Sequence, residues 1–132
     1  MALWNALIRT HHITSRKKVA KLRAAASNYN VYALLRSGSC PGMMYCQGEE
    51  SDVKDWVSVV QHLRYKDFQL VMKAAKMQTE GGSGREGEEG KETGVELGKL
   101  HEAQSVKEFG ARMEQLGIWD WWRKGMGYVH ND

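Results

Sequence analysis

The chain has 132 residues, 42% of them hydrophobic, with five tryptophans and a formal net charge of +3. That length suits one domain with a real core, the composition excludes global disorder, and no apolar run approaches the roughly 18 residues a membrane helix needs. The apolar start, Met1-Ala-Leu-Trp-Asn-Ala-Leu-Ile-Arg9, has no basic segment, long apolar stretch or small-residue cleavage site, so it reads as folded protein and not as a signal peptide. With two cysteines and no secretory signal, the expected compartment is intracellular, nuclear or cytoplasmic, without a disulfide.

The charge is unevenly spread. Met1 to Gly48 contains no Asp or Glu, while Arg9, Arg16, Lys17, Lys18, Lys21, Arg23 and Arg36 are basic; the acids concentrate between Glu80 and Glu96. An anionic partner would favour such an asymmetry, and a merely solvated helix face would also produce it.

In chain order, residues 6–13 form a plausible first strand, with Ile8 and its alternate neighbours on one face and Leu7, Arg9, His11 and Ile13 on the other. Ser15 offers an N-cap for a helix reaching about residue 28. On its wheel Val19, Leu22 and Ala26 share the buried stripe; Arg16, Lys17, Lys21 and Arg23 take the opposite side and Lys18 the margin. Residues 31–36 are rich in β-formers and predict a second strand. A loop with the only proline, Pro41, leads into a short apolar strand at 43–47. Ser51 is the expected cap of the next helix, where Val53, Trp56, Val57, Val60 and Leu63 follow helical spacing and Arg64 falls in the last turn. Residues 68–72 read as the fourth strand, with Phe68, Leu70 and Met72 on one face.

The order βαββαβ predicts an α+β fold: a ferredoxin-like, four-stranded antiparallel sheet with both helices on one face. The whole chain, 1–132, reads as a single domain with its core at about 4–76. A Gly/Glu-rich stretch at about 79–97 carries almost no apolar residue at its centre and is expected to be a flexible acidic loop. A C-terminal helical extension at about 99–126 follows it. There Val106, Phe109, Met113 and Leu116 share a stripe, and with the tryptophans of 118–122 they are expected to cover the open sheet face.

Several stretches also resemble a known family. Thr10-His-His-Ile-Thr-Ser-Arg-Lys-Lys18 resembles the His-His-Ile…Ser-x-Lys-Lys opening of a domain that follows the RWD domain in RWD-domain-containing proteins. Cys40-Pro-Gly-Met-Met-Tyr-Cys-Gln-Gly48 is similar to that domain's Lys-Pro-Gly, apolar strand, Glu-Gly segment. Leu63-Arg-Tyr-Lys66 stands where the family has Leu-x-Trp-Lys. Phe109-Gly-Ala-Arg-Met-Glu-Gln-Leu-Gly117 and Ile118-Trp-Asp-Trp-Trp122 resemble the end of the same domain in the spliceosomal pre-mRNA-processing factor 3. The resemblance spans nearly the whole chain outside the loop. It implies a ferredoxin-like fold without known catalysis and, by way of the splicing factor, binding to small nuclear RNA.

The candidate RNA-binding residues are therefore His11, His12, Arg16, Lys17, Lys18, Lys21, Arg23 and Arg36. The cations would neutralise phosphates, and His11, His12, Tyr32 and Tyr45 would add stacking or base-edge contacts if they face outward. The plainer expectation is a locally bonded His pair and tyrosines built into the sheet. No Gly-Phe-x-Phe-like signature of the RNA-recognition motif is present. A metal centre from Cys40, Cys46, His11 and His12 matches no standard zinc spacing, so no metal or cofactor is expected. The 81–94 glycines lack a Gly-Lys-Ser/Thr ending, and residues 14–18 lack the glycines of an acylphosphatase loop, so the chain is expected not to be an enzyme. The alternative class is a protein–protein interaction module with no nucleic-acid role.

Overall fold

The first strand, β1 (Trp4–Thr10), lies between two antiparallel neighbours, β3 (Gly42–Gly48) and β4 (Gln69–Lys76). A computed structural model describes residues 2–80 and 95–128; the glycine-rich stretch 81–94, expected to be a flexible loop, lies outside the described residues. On the far side of β3 comes β2 (Tyr32–Arg36), antiparallel to it, and then β5 (Lys99–Ala103), parallel to β2. The sheet order is β4-β1-β3-β2-β5. The first four strands with α1 (Arg16–Asn28) and α2 (Glu50–His62) make the expected ferredoxin-like arrangement, and the fold is α+β. Two shorter helices, α3 (Val106–Gln115) and α4 (Trp119–Met126), follow β5.

Strand alternation distributes the side chains to two cores. Ala6, Ile8, Ala33, Leu35, Met44 and Cys46 point towards α1 and α2, where they meet Val19, Leu22, Val53, Trp56 and Val60. Leu7, Tyr32, Leu34, Met43 and Tyr45 point the other way and are covered by Phe109, Met113, Leu116, Ile118, Trp122 and Met126. The tail therefore roofs the second sheet face, as its apolar stripe predicts. Two glycines permit the close fit: a Cβ on Gly110 would stand 2.8 Å from the Trp122 ring, and one on Gly125 would stand 2.9 Å from Leu7 and Met72.

Local chemistry explains the helix ends. Ser15 caps α1 as expected, its hydroxyl accepting from the Lys18 N–H at 3.2 Å. Ser105 caps α3 in the same way, and Glu108 reaches back to accept from the Gln104 N–H at 2.8 Å. The second helix differs from expectation: Glu49, not Ser51, is its N-cap, because the chain turns as soon as β3 ends at the tightly packed Gly48. Glu50 and Asp52 fall in its first turn, where the helix dipole favours acids. Arg64 lies beyond its end, with φ of +58°, and not in the last turn.

Three further departures come from pairing that local patterns do not encode. The first strand stops at Thr10, and Ile13 is buried among the α1/α2-side residues instead of extending the Leu7 face. Register shifts between Asn5 and Ile8 bring Met72 opposite Leu7 on the tail side, while Phe68 and Leu70 stay on the helix side. Residues 99–103, expected to open the helical tail, instead form β5. Five consecutive pairings with β2, from Tyr32↔Lys99 to Arg36↔Ala103, impose the extended form on a segment with no β-branched residue.

Candidate nucleic-acid interface

Helix α1 runs along the edge of the helix layer beside β5. Val19, Leu22, Ala25 and Ala26 form its buried stripe, and this leaves Arg16, Lys17, Lys21 and Arg23 exposed to solvent, as their spacing predicts. Lys18 sits at the margin, half-buried, its Nζ 4.8 Å from the centre of the Tyr65 ring. Lys17 and Lys21 make no ion pair among the described residues.

Arg16 and Arg23 are differently placed. Seven residues apart, they lie on one side of α1 and converge on Glu102 of β5. Arg16 presents both terminal guanidinium nitrogens to the carboxylate, at 3.0 and 2.7 Å, and Arg23 approaches to 3.5 Å. The Ser37 hydroxyl donates to the same carboxylate at 2.7 Å. The hydrogen bonds from Arg16, aided by Ser37 and Arg23 and opposed by partial burial, hold the Glu102 carboxyl down to about 2. An acid from the far end of the chain thus reaches into the acid-free half.

Arg36 has a structural position. Its guanidinium donates to the Ser39 carbonyl at 2.6 Å, the Pro41 carbonyl at 3.0 Å and the Ser39 hydroxyl at 3.0 Å, and so ties down the loop between β2 and β3. Of the two histidines, His12 is exposed. His11 is half-buried, with its ring 4.7 Å from that of His12, Asp67 Oδ2 3.5 Å from its Nδ1 and the Cys40 thiol 4.0 Å from the same nitrogen. An open groove of about 560 Å³ lies here, lined by Arg9, His11, Cys40, Pro41, Asp67 and Gln69 among others, with Arg9 donating to Gln69.

The tyrosines take the plainer of the two places expected for them. Tyr32 and Tyr45 are buried under the tail, their rings edge to face at 6.4 Å. Tyr45 donates to Gln47 at 2.6 Å and accepts from Asn5 at 3.3 Å, and burial pushes its hydroxyl well above the usual range. Neither ring is open to a base. Cys46 is equally buried, on the α1/α2 side of β3, so it does not join Cys40, His11 and His12. Among the described residues no group of three or more His, Cys, Asp or Glu is arranged to hold a metal ion, and no helix is long and apolar enough to cross a membrane.

The candidate interface that remains is the solvent side of α1: Lys17 and Lys21 without an ion pair among the described residues, Arg16 and Arg23 shared with Glu102, Lys18 at the edge and His12 just upstream in the chain. Local patterns reveal the cations but not Glu102 or Ser37, whose link to them spans as many as 86 positions of sequence.

No family model matches the sequence, and no curated protein matches it. Among solved structures the chain is similar to BlrP1 BLUF, with a TM-score of 0.54 over 90% of this chain and 78% of that one, at 11% sequence identity. At that identity the likeness is one of fold alone.

Proposed function

We propose that this chain is a non-catalytic RNA-binding module that takes RNA phosphates on the solvent side of α1. Lys17 and Lys21 make the primary contacts, with Lys18 and His12 flanking them. The observation that carries the reading is a concentration of exposed cations on one helix within a 48-residue stretch free of acids, two of them without an anionic partner among the described residues. Such a face binds phosphates by releasing condensed counterions, so affinity falls steeply with salt. The reading is one of binding because the exposed groups are cations fit for phosphate, not an acid and base paired on a reacting atom. The partner class, a structured or small nuclear RNA, is drawn from the resemblance to the C-terminal domain of the pre-mRNA-processing factor.

The test is gel retardation of a labelled stem-loop RNA at low salt. The double variant Lys17→Glu, Lys21→Glu is expected to abolish retardation while the circular dichroism spectrum and melting temperature stay those of the parent. Retardation equal to the parent's would overturn the proposal.

A further inference from the structure

The Glu102 carboxylate occupies a position built for an oxyanion. Three donors from two separate parts of the fold converge on it: Arg16 and Arg23 from α1, and Ser37 from the turn after β2. The two Arg16 contacts, at 3.0 and 2.7 Å, run to the two carboxylate oxygens as a fork, the geometry arginine also uses for phosphate. The anion itself comes from elsewhere. Glu102 belongs to β5, a five-residue strand that among the described residues has β2 as its only sheet neighbour, and it faces α1 because it lies on the same strand face as Leu100, which packs in the α1/α2-side core. A change of side-chain rotamer at Glu102 would vacate the site and leave all three donors in place. Arg16 and Arg23 remain accessible, their side chains 64% and 51% exposed.

We infer that Arg16, Arg23 and Ser37 form a phosphate site whose resident anion is Glu102, and that a phosphate of bound RNA displaces the Glu102 carboxylate from it. The inference rests on the RNA-binding reading of α1 and adds its regulation. With Glu102 in place, α1 offers Lys17 and Lys21; with Glu102 displaced, it offers two arginines more. The carboxylate is thus an internal competitor that weakens binding to any polyanion unable to take its place. A ligand that presents phosphates at the right separation recovers both arginines, and one that does not meets a surface with its strongest phosphate binders occupied.

The test measures binding of a fluorescein-labelled RNA stem-loop by anisotropy across a salt series. Glu102→Gln keeps the side-chain size and removes the charge. It is expected to tighten binding about tenfold at low salt, because the RNA no longer has to displace a carboxylate from Arg16 and Arg23, while the slope of log K against log salt stays close to the parent's, since the same phosphates are contacted. Arg16→Gln is expected to change parental binding less than about threefold, since there the phosphate contact is gained at the expense of the Glu102 contact, yet to remove most of the gain in the Glu102→Gln background. Glu102→Asp, which draws the carboxylate back by one methylene, is expected to give a smaller gain and serves if the glutamine variant does not fold. Affinities for Glu102→Gln and Glu102→Asp at or below the parent's, with binding still abolished by Lys17→Glu, Lys21→Glu, would overturn the competitor role and leave the α1 reading standing. Binding unaffected by the lysine changes would overturn both.

Discussion

Removing Trp122 should cost far more than removing Trp119, three residues earlier on the same helix. Trp122 is 5% exposed, its ring stacked at a tilt on Phe109 with centroids 6.0 Å apart and edge-on to Tyr128 at 5.5 Å. Truncating a buried tryptophan costs about 3–5 kcal/mol in lost burial and residual cavity. About 1 kcal/mol returns here, because the indole N–H is buried with no acceptor among the described residues and its loss removes that penalty. Trp122→Ala is thus expected to destabilise by about 3 kcal/mol. Trp119 is 37% exposed, with the Arg123 guanidinium 4.4 Å from its ring centre, so Trp119→Ala should cost no more than about 1 kcal/mol.

A second substitution sharpens the test. A methyl group on Gly110 would lie 2.8 Å from Cη2 and Cζ3 of Trp122, so Gly110→Ala overpacks by about 1–3 kcal/mol, against roughly 1 kcal/mol gained in helix propensity. In a Trp122→Phe background those outer ring atoms are gone, and the same change should be neutral or slightly stabilising. The expected coupling is about 1–2 kcal/mol. Urea denaturation followed by far-ultraviolet circular dichroism measures each term. Equal losses for the two alanine variants, or strict additivity of Gly110→Ala with Trp122→Phe, would refute the placement of α4 against α3 and the sheet.

Stability should also fall in acid through Glu102. Its folded carboxyl is held at about 2 against an ordinary 4.5, so the stabilising contribution is complete above 4.5 and is lost as pH falls from there towards 2. A shift of that size has a ceiling of about 3 kcal/mol. With both arginines more than half exposed, solvent screening brings the expected contribution nearer about 1 kcal/mol. Denaturation midpoints from pH 6 to pH 2 should show that loss in the parent and a shallower one in Glu102→Gln; parallel profiles would contradict it.

The parts of the fold that could be read along the chain are those whose signal is local. Ser15 before an apolar 3.6-residue stripe marks α1 because capping and helix burial act within a few residues. Phe109, Met113 and Leu116 mark α3 as a roof for the same reason. What could not be read depends on distant partners. Lys99–Ala103 is a strand because β2 lies beside it, and nothing in Lys-Leu-His-Glu-Ala favours an extended chain. Without β5 nothing in the sequence places Glu102 beside α1, where it engages Arg16 and Arg23. Arg36 reads along the chain as one more cation, and only the closure of the 37–41 loop shows why it is there. Met72 changed faces through a bulge in the β1–β4 pairing, which strict alternation does not foresee.

Everything proposed for α1 depends on RNA meeting its solvent side. The most direct measurement is ultraviolet crosslinking of the protein in cells, followed by recovery of bound RNA and mapping of crosslinked peptides by mass spectrometry. Structured RNA is expected on peptides spanning residues 11–23 and is expected to be lost in the Lys17→Glu, Lys21→Glu variant. Recovery of protein partners without RNA, or of RNA joined only to peptides outside that span, would contradict it.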